Sequence, residues 1–205
     1  MSGPIAVLPM LLALLAAASG CQILGYASKA AGPAPVPAMH TLHKVPTLIL
    51  VKDVPDPTGL NIESEELAAG IEAIIKAHDL APLIPAETLS DYRSAHLNSA
   101  SMSPAQLGQA LGAEQVILLQ LTDNTVYSEG TQDMLKGRID GSVRVIDAAT
   151  GRTIFPNDGT PGVSVSYETP LLRRTDQNTP AGVQRNLDAG LADQVAKLFY
   201  KYKPE

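Results

Sequence analysis

The sequence predicts an α/β (α+β) fold: a mixed β-sheet with two βα units, an antiparallel meander and a C-terminal helix packed on the sheet. An apolar run at residues 116–119 lies between Gly112 and the polar residues 122–124, which is typical of a strand covered on both faces inside a sheet. Residues 135–147 place apolar side chains at a period of two, as in an antiparallel strand with one dry face. Residues 179–202 carry an apolar stripe at helical spacing.

The first βα unit begins with a near-continuous apolar run at residues 46–51, which predicts a buried strand. Residues 54–61 contain two prolines and a glycine and therefore predict a loop. Asn61 can cap the helix that follows. One face of that helix is expected to carry Ile62, Leu67, Ile71, Ile74, Ile75 and His78.

Residues 80–85 predict a brief strand at a sheet edge, because Pro82 and Pro85 cannot donate hydrogen bonds to a ladder. A helix at residues 86–97 and a loop at residues 98–101 are expected to follow.

Two further helices begin with a capping hydroxyl followed by proline, at Ser103-Pro104 and at Thr179-Pro180. The first is expected to end at Gly112 and to lead into the central strand. A buried helix is the alternative for residues 116–119, but the run is too short for one. The remaining expectations are an alternating segment at 125–127, a hairpin turn at 147–151, strands at 152–155 and 163–167, and a polar segment at 170–178.

Composition limits the function classes. The chain has 205 residues, of which 45% are hydrophobic, and this suits one domain of ordinary size. A formal net charge of −6, with 4% aromatic residues and no tryptophan, argues against nucleic-acid binding, which needs a basic surface. The single cysteine, Cys21, excludes an intrachain disulfide.

The N-terminal segment is almost wholly apolar from residue 5 to residue 18, too short for a bilayer span of about 20 residues. Ala18, Ser19, Gly20 and Cys21 close this run and resemble the lipobox of bacterial lipoproteins. The resemblance implies a signal peptide at residues 1–20, cleavage before Cys21, and acyl chains such as palmitate on the mature N-terminus. It departs from the common pattern at Ala18, where leucine is commoner, and no Lys or Arg precedes the run.

An uncleaved N-terminal anchor is the alternative interpretation, because the chain carries no charged side chain before Lys29. The position of the only cysteine, directly after small residues at the end of the apolar run, favours the lipoprotein. Gln22 follows the cysteine, and by analogy with enterobacterial sorting a residue other than Asp there favours the outer membrane over the inner. Both interpretations place the body of the protein in the periplasm.

Residues 21–46 are expected to form a lipidated N-terminus and a Pro/Ala-rich tether, leaving residues 47–205 as a single globular α/β domain. His40 and His43 lie in this tether with the spacing H-x-x-H. Because prolines flank them and no third ligand is near, we interpret them as solvated residues and predict no metal site.

Four segments together resemble the bacterial envelope lipoproteins of the curli-secretion and penicillin-binding-protein-activator type, whose fold is shared by the N-terminal domain of the Tol-system periplasmic protein. They are residues 67–89, 107–121, 141–155 and 191–200. The resemblance implies the water-soluble fold of these lipoproteins and no pore, since the chain is too short for membrane-spanning hairpins.

These patterns predict a non-catalytic envelope lipoprotein, attached to the membrane by its lipid anchor, that binds another envelope protein or takes part in envelope assembly. The motifs G-x-S-x-G and H-E-x-x-H do not occur, and no cofactor is predicted. The loops at residues 129–134 and 170–178 are candidates for the partner surface, and a solvated connection is the alternative role of each.

Two alternatives of other classes are an envelope hydrolase and a carrier. The hydrolase would bring together His78, His96, Asp53 and Glu87. The carrier would hold a small ligand or a lipid in a pocket between the sheet and the helices.

Overall fold

The computed structural model describes residues 33–52, 62–128, 133–175 and 178–204. Residues 38–200 form one compact unit. The strands are β1 Thr47–Lys52, β2 Gln115–Ser128, β3 Met134–Asp147, β4 Thr153–Phe155, β5 Val163–Glu168 and β6 Leu172–Arg173. The helices are α1 Ile62–Ala77, α2 Ala86–Ala95, α3 Pro104–Ala110 and α4 Pro180–Lys197, with a 3₁₀ helix at Leu97–Ser101.

The sheet is mixed and six-stranded, which confirms the predicted fold class. β2 lies between β1, which runs parallel to it, and β3, which runs antiparallel. β4, β5 and β6 all pair with β3, along successive stretches of its length. The antiparallel meander therefore runs through β2, β3 and β4. The chain then returns to β3, which at 14 residues is long enough to pair with β5 and β6 as well.

The prediction that the central strand is covered on both faces is confirmed. Ile117 and Leu119 of β2 point into a larger cluster, the major core, which α1 and α4 cover. Val116 and Leu118 point into a smaller cluster, the minor core, which includes Leu89 of α2 and Leu107 of α3. Two separate apolar layers thus hold one strand, so its residues 116–119 are all buried.

β2 is longer than the apolar run that predicted it. A register shift between Leu121 and Asp123 marks a bulge, after which β2 continues to Ser128 against the first half of β3. The residues beyond the bulge are partly or largely exposed, so their composition gives little sign of a strand.

The helix boundaries follow the predicted capping residues. The Ser103 hydroxyl accepts from the Gln106 backbone N–H at 3.2 Å, and the Gln106 side chain accepts from the Ser103 N–H at 2.8 Å. This reciprocal pair is a capping box. Thr179 caps α4 by accepting from the Gly182 N–H at 3.1 Å. Gly112, with φ of +76°, takes the left-handed conformation expected after a helix end.

Two short segments differ from the expectation. The helix predicted at residues 86–97 ends at Ala95, and the loop predicted at residues 98–101 is part of the 3₁₀ helix. Residues 80–85 form only an isolated parallel bridge, between Leu83 and Thr47 at the edge of β1. That brevity agrees with the prolines at 82 and 85. Asn61 and the loop at 54–61 lie outside the described residues.

Part of the predicted tether packs onto the domain. Leu42 is 4% exposed and belongs to the major core. The His40 ring stacks on Phe155 at 4.8 Å, and burial, followed by the charge of His43, lowers the pKa of His40. The interpretation of His40 as a solvated residue is therefore wrong, whereas His43 is exposed as expected. Phe155 lies more than 100 positions away in sequence, so local composition gives no sign of this contact.

Residues 33–37 and 201–204 are the described parts of a second compact unit. Within it, Val36 and Tyr202 form an isolated antiparallel bridge with N–H···O distances of 2.8 and 3.1 Å.

Candidate functional site

The residues of the predicted lipidation signal, Ala18, Ser19, Gly20 and Cys21, lie outside the described residues. Cleavage and acylation there stay predictions. Among the helices of the described chain, none combines the length and the apolar character that crossing a bilayer requires.

The residues considered for a hydrolase lie in different settings. His78 follows α1, and its ring stacks on Tyr200 at 3.8 Å. His96 ends α2, with its ring stacked on Tyr92 at 4.1 Å. Glu87 lies in the first turn of the same helix, so the helical rise separates it from His96 by roughly 13 Å. Asp53 lies outside the described residues, and no catalytic pairing is seen among the other three.

A cavity of about 210 Å³ opens at the start of β2, lined by the polar residues His43, Gln109, Glu114, Gln115 and Asp147 among others. Gln115 is 1% exposed, and its amide nitrogen donates to the His43 carbonyl at 2.9 Å and to the Thr47 hydroxyl at 2.8 Å. The cavity is smaller than the roughly 300–1,000 Å³ of most ligand pockets. It gives no support to the carrier alternative.

The two segments predicted to contact a partner come together in space. Residues 129–132 and 176–177 lie outside the described residues, but the ends of both segments are seen. Met134 pairs with Arg173, and Leu135 pairs with Leu172. The Arg174 N–H also donates to the Asp133 carbonyl at 2.6 Å. Leu171, 47% exposed, lies beside this junction, which we call the loop junction.

One face of the sheet carries a polar surface. Side chains alternate along a strand, so residues next to those of the major core point to the opposite face. Where α2 and α3 end, that face continues as a partly exposed polar surface, here called the open face. Its members include Lys52, Gln120, Thr125, Lys136, Arg138, Asp140, Ser142, Arg144 and Glu168.

Ion pairs occupy the half of the open face nearest β5. Arg138 contacts Asp140 at 2.6 Å and Glu168 at 2.9 Å, and Lys136 contacts Glu168 at 3.2 Å. These pairs are partly solvated, so each contributes little to the free energy of unfolding. Asp140 and Glu168 are therefore each already paired with a cation of the same face.

The other half of the open face carries cations that form none of these ion pairs. Lys52 of β1 is aligned with Gln120 of β2, which is aligned with Ser142 of β3. Arg144 lies two residues along β3 from Ser142 and points to the same face. Arg93 of α2 lies one helical turn after the buried Leu89, and its charge is one of those that lower the pKa of Lys52. We call Lys52, Arg93 and Arg144 the basic trio.

The basic trio is half-buried. Among the residues that the structure describes, no ion pair within 4.0 Å involves any of the three. Burial lowers the pKa of Lys52, and the charges of Arg93 and Arg144 lower it further. Burial also lowers the pKa of Arg93, against a smaller opposing effect of Glu65. Local sequence patterns do not predict this group, because its members are 41 and 51 positions apart and meet only through the strand register.

No family model matches the chain, and no curated protein sequence matches it. Solved structures do share the general arrangement. Lipoprotein GNA1162 from Neisseria meningitidis is 17% identical, with a TM-score of 0.43 over 74% of this chain and 97% of that one. The hypothetical protein CT253 from Chlamydia trachomatis is 18% identical, with a TM-score of 0.40 over 75% and 98%.

Uncharacterized lipoprotein B from Nitrosomonas europaea is 12% identical, with a TM-score of 0.38 over 76% of this chain and 82% of that one. Two of these three proteins are described as lipoproteins. At TM-scores below 0.5 this likeness says nothing about partners or activity, and the narrower resemblance to curli-secretion and activator lipoproteins stays a prediction.

Proposed function

We propose that the protein is a bacterial envelope lipoprotein, anchored by acyl chains on Cys21, whose non-catalytic domain binds another envelope protein. One observation carries the anchor: the only cysteine in the chain follows Ala18-Ser19-Gly20 directly after an apolar run of 14 residues, 5–18. Each acyl methylene buried in a bilayer contributes about 0.8 kcal/mol, so two or three long chains hold a protein firmly. The outer membrane is the proposed location, because Gln22 and not Asp follows the cysteine.

The anchor predicts a specific result for Cys21→Ser expressed in a bacterial host. Metabolic labelling with a palmitate analogue is expected to mark the native chain and to leave the variant unlabelled, because the thioether cannot form. Ser19 and Gly20 belong to the signal, so the matched control is a substitution outside it. Ser28→Ala is such a control and is expected to keep the label. Equal labelling and equal membrane partition of Cys21→Ser and the native chain would rule out the anchor.

The absence of catalysis is proposed on two grounds. The sequence lacks the serine and zinc hydrolase motifs, and His78 and His96 stack on the separate rings of Tyr200 and Tyr92. Within the described residues, no group of three or more His, Cys, Asp or Glu side chains is arranged to hold a metal ion. A domain of this kind acts through binding.

The proposed partner surface is the loop junction. Two segments far apart in the chain meet there, Leu171 projects into solvent beside them, and loops that leave a rigid sheet commonly carry contacts. The Asn178 side chain donates to the Arg173 carbonyl at 3.0 Å, which holds the end of one segment in place. Such a fixed, partly apolar edge suits recognition of a folded protein.

A photo-crosslinking residue at position 171 tests this surface in intact envelopes. We expect a discrete crosslinked product of defined mass. Purification of that product and mass spectrometry are expected to identify one partner protein in it. Position 97 supplies the control, since Leu97 is 97% exposed but lies in the 3₁₀ helix on the minor-core side. Equal products from positions 97 and 171, or none from 171 in chains that are correctly localised, would contradict the proposed surface.

A further inference from the structure

We propose that the basic trio binds a phosphate group, carried either by a phospholipid headgroup or by a soluble phosphate ester. Lys52, Arg93 and Arg144 come from three different elements, and the strand register with the packing of α2 directs them to one region of the open face. The site is a feature of the folded domain and uses no residue of the lipidation signal, so it stands or falls independently of the anchor.

The spacing of the trio suits a group the size of a phosphate. Two strand spacings separate the backbones of Lys52 and Ser142 by about 10 Å, and Arg144 lies about 7 Å further along β3. Side chains as long as Lys and Arg can cover these distances and meet above Gln120 and Leu118. Arginine presents a planar fork that pairs with two oxygens of one phosphate, and lysine adds a point charge.

The charge balance of the open face favours an external anion. Its two ion-paired cations, Lys136 and Arg138, share the carboxylates Asp140 and Glu168. The basic trio, on the same face, has no such partner within the described residues. The chain as a whole is acidic, with a formal charge of −6, so three adjacent half-buried cations run against its general composition. An anionic phosphate group would relieve their mutual repulsion.

Neutral donors complete the surroundings. Gln120 and Ser142 occupy the same row of the sheet as Lys52, and both are partly exposed. An amide N–H and a hydroxyl can bond phosphate oxygens that the cations leave free. The region therefore offers charge and directed hydrogen bonds together, as oxyanion-binding sites do.

Acetylation of lysines in the full-length protein, followed by mass spectrometry, reads the site directly. A bound phosphate is expected to raise the pKa of Lys52 and so reduce its reactive free-amine fraction, about tenfold when the site is full. Lys136, already paired with Glu168 on the same face, is the internal control and should change less than about twofold. The first arm adds inorganic phosphate or glycerol phosphate, with chloride at equal ionic strength as the reference.

The second arm places the protein in nanodiscs of phosphatidylcholine with or without phosphatidylglycerol. Protection of Lys52 by phosphatidylglycerol, but not by soluble phosphates, would identify a lipid headgroup as the source. Protection by the soluble compounds in detergent would identify a soluble phosphate ester. Either result supports the proposal, since both require the same oxygens at the same cations.

Substitutions locate the binding on the trio. Arg144→Gln is expected to weaken phosphate binding about tenfold, the value of one charge-assisted hydrogen-bonded pair. Arg138→Gln removes a cation from the same strand and face and should change affinity less than about twofold. Arg93→Gln, on a helix surface, serves if Arg144→Gln does not fold. Unprotected Lys52 in both arms, equal effects of Arg138→Gln and Arg144→Gln, or protection by an acidic protein partner alone would overturn the proposal.

Discussion

Replacing Leu118 by alanine is expected to lower the free energy of unfolding by about 2–5 kcal/mol, the range for a buried leucine whose cavity does not collapse. Leu118 is almost fully buried between the sheet and the helices of the minor core. Leu119→Ala should cost a similar amount, although its side chain points the opposite way into the major core. The equality is the informative point, because a strand with only one covered face would be sensitive at every second residue.

Urea denaturation of the full chain, followed by circular dichroism, measures both effects. Ser166→Ala is a suitable control, since Ser166 is exposed on β5, and its change should stay within about 0.5 kcal/mol. A loss below about 1 kcal/mol for either leucine variant would contradict the two-layer description of β2.

Gly190→Ala is expected to destabilise the protein by about 1–3 kcal/mol, although alanine is the better helix former. A Cβ atom at position 190 would lie 2.3 Å from the ring of Tyr167, so α4 could not keep its distance from β5. Gly70→Ala is the matched control in α1. Its added Cβ would lie 3.3 Å from the Cβ of Ala192, a tight contact that the gain of about 1 kcal/mol in helix propensity offsets.

A second substitution separates this contact from a general effect on the helix. Tyr167→Val shortens the side chain that meets position 190, so the double variant Gly190→Ala/Tyr167→Val should recover more than half of the loss caused by Gly190→Ala in the Tyr167→Val background. Thermal unfolding of the four chains gives the coupling free energy. Simple additivity of the two substitutions would contradict the close packing of α4 on β5.

Sequence patterns predicted the elements whose side chains are sorted by local burial. The run at residues 116–119, the alternation at 135–147 and the proline starts at Ser103 and Thr179 depend on neighbours within a few positions, and the structure confirms each. The patterns do not predict the pairing of strands that lie far apart in the sequence. The return of β5 to β3 and the two-residue β6 depend on the length of β3, which its own alternation does not specify.

The candidate sites divide along the same line. The lipidation of Cys21 can be predicted from the sequence because its signal lies within one short segment. The basic trio cannot be predicted in this way, because its three cations are 41 and 51 positions apart and become neighbours only when the register of β1, β2 and β3 is known. The burial of the His40 ring is not predicted for a related reason. The prolines around it indicate exposure, while its stacking partner Phe155 comes from another part of the chain.

The mass of the N-terminal peptide of the mature protein, purified from envelopes in detergent, tests the anchor most directly. The proposal predicts a peptide that begins at Cys21 and carries a diacylglyceryl group with a further acyl chain on its amine. A peptide that begins upstream of residue 21, or a Cys21 with an unmodified thiol, would contradict it.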